Sequence, residues 1–74
     1  MAKNMQLNGA IHAVFDTESA MAKSLGWSRQ RLNKITNGRK VPDLFEVNDM
    51  ARVLNMPFSS VAGFFLPGAS TIVD

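Results

Sequence analysis

Three residues, Gly26-Trp27-Ser28, separate two apolar helical stripes and leave the chain little freedom in how it packs. On one side Met21, Ala22 and Leu25 recur at helical spacing; on the other, Leu32 and Ile35 recur at i, i+3. So short a connection cannot return the chain antiparallel, so the two helices must cross steeply. A steep, close crossing needs a small side chain at the contact, which Ala22 supplies. It also needs left-handed backbone where the chain turns, and Gly26, four residues on, takes that conformation at low cost. Ser28 is then placed to cap the second helix of the pair.

Helical periodicity extends over the rest of the chain. Leu7, Ile11, Val14 and Phe15 form one stripe of a first helix over 5–15. Asp16 and Thr17 are good N-cap types for the second helix, 17–25, and Glu18 suits the positive end of its dipole. The third helix runs over 29–37 and closes on Asn37-Gly38. Pro42 and Asp43 open the fourth, where Asp43 and Glu46 have the spacing of a capping box. Val47, Met50, Ala51 and Leu54 are its apolar face, and Asn55 is its left-handed stop. Pro57 suits the first position of a short fifth helix carrying Val61, Phe64 and Phe65. Leu66-Pro67-Gly68 breaks that helix, and Thr71-Ile72-Val73 in the remaining tail is β-prone but too short for a strand. The expectation is an all-α domain of five short helices over 1–66, with the helix pair at 17–37 and a C-terminal tail at 67–74.

Several function classes fall away on composition. With 46% hydrophobic residues in a chain of 74, there is enough apolar material for one core, close to the smallest self-sufficient size. The chain has no cysteine and one histidine, so disulfides, thiolate metal sites and imidazole clusters are excluded and no metal or cofactor is expected. His12 lies one position off the apolar stripe and reads as a surface residue. The opening residues lack the apolar run of a signal peptide, and no stretch approaches the ~18 apolar residues of a membrane span, so a cytoplasmic protein is expected. Asp16 and Glu18 sit at a helix start, where capping explains them. No nucleophile, base and orienter converge, so the chain does not read as an enzyme.

Charge is distributed unevenly. From Trp27 to Lys40 there are five cations (Arg29, Arg31, Lys34, Arg39, Lys40) and no acid, whereas the rest of the chain holds three cations and six acids. A net charge of +2 thus conceals a basic segment on an acidic body. At about 100° per residue, the helix face opposite Leu32 and Ile35 presents Gln30, Asn33, Lys34 and Asn37, with Arg29 at the helix start. Amides and cations on an exposed helix are the chemistry that reads base edges in the major groove: Arg and Lys suit guanine, Gln and Asn suit adenine. Arg39 and Lys40 follow the helix, where they can neutralise phosphates.

These residues resemble the helix-turn-helix core of the phage repressor and Cro family: Ala22 with Gly26 four residues on, the Ser28 cap, Leu32 and Ile35, the Asn37-Gly38 turn, a basic residue, Pro42, and a fourth helix before a short apolar fifth. The resemblance covers about residues 16–66. It implies a lambda-repressor-like fold and a regulator in a bacterial host that binds a double-stranded DNA operator. It places base reading at Arg29, Gln30, Asn33 and Lys34, and phosphate contacts at Ser28, Asn37 and Arg39, to which Lys40 is added. Trp27 either covers the core at the turn or touches the DNA backbone or a thymine methyl.

Two positions depart from the family pattern. Relatives commonly have Gln where Glu18 stands, and a carboxylate there repels phosphate unless Arg29 neutralises it. Trp27 occupies a position that mostly holds a small or aliphatic residue. Binders of this size usually dimerise on two half-sites, and Phe58, Phe64, Phe65 and Ile72 are the expected homodimer surface. The alternative function is that of an antirepressor or modulator that uses the same fold to bind a partner repressor. Glu18, Trp27 and the C-terminal phenylalanines favour it; the clustered cations and exposed amides favour DNA.

Overall fold

The computed structural model describes residues 3–66, which form five helices in order: α1 (Met5–Val14), α2 (Glu18–Leu25), α3 (Arg29–Thr36), α4 (Leu44–Leu54) and α5 (Phe58–Gly63). The expected all-α class and helix count are observed, with no strand among the described residues. Each of the first four helices starts on a side chain that accepts from its own first turn. Asn4 accepts from Leu7 N–H, Thr17 from Ala20, Ser28 from Arg31 and Asp43 from Glu46. Asp43 and Glu46 complete the reciprocal capping box.

Three of the helix ends share one mechanism. Gly26, Gly38 and Asn55 have φ of 77°, 74° and 58°. In each case the next N–H reaches back to a carbonyl of the last turn: Trp27 to Ala22 at 3.0 Å, Arg39 to Lys34 at 2.8 Å and Met56 to Ala51 at 3.0 Å. This six-to-one bond is the Schellman closure, and it sends the chain off at a defined angle after α2, α3 and α4. A Cβ at Gly26 would meet no atom within 4 Å, so glycine is required there for its backbone conformation and not for space.

The core consists of Leu7 and Ile11 from α1, Met21 and Ala22 from α2, Leu32 and Ile35 from α3, Val47, Met50, Ala51 and Leu54 from α4, and Val61 from α5. α4 supplies the most of these and packs against α1, α2 and α5. Burying a leucine as completely as Leu32 stabilises the fold by about 2–5 kcal/mol over alanine, so α3 is anchored chiefly by its inner face.

Three expectations need correction. Val14 is not in the α1 stripe but half exposed; α1 ends there, and Phe15 turns its side chain towards the core on extended backbone. Thr17, rather than Asp16, is the N-cap of α2, itself on extended backbone. Pro57 precedes α5 as its N-cap residue, with no side-chain bond, and the helix begins at Phe58. Phe64 and Phe65 follow α5 and pack partly buried against the core, whereas Phe58 is exposed. Ile72 and the rest of 67–74 lie outside the described residues.

Candidate nucleic-acid interface

Because Leu32, Ile35 and Thr36 are buried, helical geometry leaves the opposite side of α3 facing outward. Arg29, Gln30 and Lys34 are exposed there, and among the described residues none of the three makes a side-chain hydrogen bond within the chain. Together with Asn33 and Arg39 they line a groove of about 560 Å³ between α3 and the start of α2, where Thr17, Glu18 and Ser19 form the other wall. The Schellman closure at Gly38 is what brings Arg39 back beside Lys34. Ser28 is exposed, and its hydroxyl accepts from Arg31 N–H.

Asn33 and Asn37 are half buried and mutually engaged. Asn37 Nδ2 donates to Asn33 Oδ1 at 2.9 Å, and Asn33 Nδ2 donates to Glu18 Oε1 at 3.1 Å. The partner of Glu18 is therefore an amide of α3, not the Arg29 guanidinium that would have neutralised it. The pair joins α2 to the flank of α3.

On the other flank, Arg31 donates to Glu46 Oε2 through Nε and Nη2, at 3.2 and 3.1 Å, and Lys40 Nζ donates to the same oxygen at 2.9 Å. Glu46 Oε1 accepts from Asp43 N–H at 3.0 Å. Burial by itself would push this carboxyl up, but hydrogen bonds from Lys40, the Asp43 backbone and Arg31 outweigh it and hold Glu46 below its ordinary value. The Arg31 guanidinium also lies 4.2 Å above the Trp27 ring, a cation–π contact. Trp27 is half buried and packs against the core.

A helix-turn-helix family model matches residues 17–61, more than half of the chain. The chain belongs to the lambda-repressor-like helix-turn-helix family. It is a DNA-binding helix-turn-helix regulator. No curated protein and no solved structure matches the chain in the other two comparisons. None of the helices in the described residues is long and apolar enough to cross a membrane.

Sequence reasoning missed two features of this helix-turn-helix protein. Glu46 was read only as a capping residue, although it lies at i−4 and i−8 from Met50 and Leu54, on the buried stripe of α4. A charged residue on an apolar stripe needs charged partners, and that was the available signal. The second feature is Val41, Leu44 and Phe45, exposed to 77%, 71% and 81%, next to the basic loop. Their polar neighbours gave no helical pattern that marks them as surface.

Proposed function

We propose that the protein is a sequence-specific transcription regulator of the repressor or Cro kind, which reads an operator by laying α3 in the major groove. The observation that carries this reading is the groove in which Gln30, Lys34, Arg29 and Arg39 converge with their polar ends unengaged. Gln30 and Lys34 contact base edges, with Arg29 and Asn33 at the rim of the same face. Ser28, Asn37 and Arg39 contact phosphates on either side. The regulator acts as a homodimer on two half-sites about 34 Å apart, and exposed Phe58 and Leu66 at the last helix support that arrangement. Selection of bound sequences from a random duplex pool tests the reading. A recurring motif with two-fold symmetry is the expected result, and an unenriched pool would overturn it.

A second reading, a modulator that binds a partner repressor, draws support from the exposed Val41, Leu44 and Phe45. It predicts protein–protein binding that Phe45→Asp abolishes, together with no preference among DNA sequences.

A further inference from the structure

Among the described residues Glu46 is the one charged side chain in the core, 2% exposed. Its Oε2 takes hydrogen bonds from both Arg31 and Lys40, which are each about half exposed. These are two of the five cations in the basic segment. Arg31 is further held against Trp27. Both cations therefore point along the flank of α3 towards α4, away from the groove lined by Arg29, Lys34 and Arg39.

We propose that Glu46 sets the strength and salt dependence of DNA attraction: by tying down Arg31 and Lys40 it withholds two cations from the DNA backbone and leaves electrostatic attraction to the cations of the groove. The inference rests on the DNA-reading function proposed above. Non-specific affinity arises from cations that displace counterions along the phosphates. A cation already bonded to a buried carboxylate displaces none. Base contacts at Gln30 and Lys34 are unaffected, so cognate and random affinity are lowered together and the ratio between them is kept. Burial makes the restraint effective: an exposed ion pair opens at little cost, but a carboxylate this deep is left uncompensated when its partners leave.

The test is a salt titration on cognate and scrambled duplexes with wild type, Glu46→Gln and Lys40→Met. Glutamine keeps the volume and the acceptor that the capping box needs, and it removes the charge that holds the two cations. The expected result for Glu46→Gln is normal helicity by circular dichroism, tighter binding to cognate and scrambled DNA alike, and a log–log salt slope steeper by about one to two on both. Lys40→Met keeps the wild-type slope. An unchanged or shallower slope in folded Glu46→Gln overturns the proposal, as does a slope lowered by about one in Lys40→Met. Should Glu46→Gln lose its helicity, Lys40→Met decides the matter. Wild type that binds neither duplex removes the DNA reading itself, whereas wild type that binds normally while the variants behave against expectation overturns this inference alone.

Discussion

Asn33 Nδ2 donates to Glu18 Oε1 at 3.1 Å, so a carboxylate at the start of α2 holds an amide on the flank of α3. Asn37 donates to the other end of the same amide, which fixes its orientation: nitrogen towards α2, oxygen towards the end of α3. Glu46 does the corresponding work on the opposite flank through Arg31. α3 is thus gripped along both sides, and the strip between, with Gln30 and Lys34, is left without side-chain partners among the described residues.

This relationship changes what Glu18→Gln should do. The glutamine carbonyl can accept from Asn33 as the carboxylate does, so the brace survives. The charge that repels phosphate is lost, and the amide nitrogen gains a donor. Tighter DNA binding is expected, worth up to about 1 kcal/mol for a partly solvated surface charge, or roughly fivefold in Kd. Titration at fixed salt checks it. Weaker binding by a folded Glu18→Gln protein would show that the carboxylate itself takes part in binding.

Glu46 predicts the acid limb of stability. Its carboxyl is held below the ordinary value of 4.5 in the fold, so the folded chain gives up this proton more readily than the unfolded chain. Stability from this group is therefore fully present above about 4.5 and is lost as pH falls through the lower, folded value. Thermal melts from neutral to acid pH should show wild type losing Tm faster below that point than Glu46→Gln, which has no proton to take up. Parallel curves for the two proteins would mean that the ion pairs contribute nothing to folding.

The helix ends were legible because their chemistry is local. Gly26, Asn37-Gly38 and Asn55 are stops for reasons contained in two or three residues, and all three lie where the spacing put them. The inward faces of α2, α3 and α4 were legible for the same reason. What could not be read was how one element restrains another. The bonds from Arg31 and Lys40 to Glu46, and from Asn33 to Glu18, join residues that only the packed helices bring together. In the candidate site the exposed face followed from periodicity, but which of its polar groups are already engaged did not.

Asn4 is a further tie of that kind. Its side chain caps α1, its N–H donates to Thr36 carbonyl at 2.7 Å, and its Nδ2 donates to Phe64 carbonyl at 2.9 Å. Asn4→Ala removes the cap and the bond to Phe64 but keeps the backbone bond. A loss of about 1–2 kcal/mol follows, which lowers Tm by about 4–8 °C per kcal/mol in a domain of this size. Asn4→Asp should restore the cap without the bond to Phe64 and recover part of the loss. Denaturation midpoints of the three proteins decide it; equal midpoints would show that the tie has no net value.

The final prediction separates reading from attraction. Gln30 and Lys34 are exposed on the strip between the two braces, and Arg39 stands at its end beside Lys34. A well-formed base contact is worth about 1–3 kcal/mol of discrimination, so Gln30→Ala or Lys34→Ala should weaken cognate binding by roughly five- to a hundredfold and scrambled binding far less. Lys34→Ala also removes a charge and should lower the salt slope slightly on both duplexes, whereas Gln30→Ala should leave the slope alone. Arg39→Ala should weaken cognate and scrambled binding together and lower the slope by about 0.9. None of the three residues is buried, so each variant should keep its wild-type melting curve and the comparison is one of binding only. Equal losses on both duplexes for Gln30→Ala would mean that α3 does not read bases through this face. A selective loss of cognate binding in Arg39→Ala would instead place that guanidinium on a base edge.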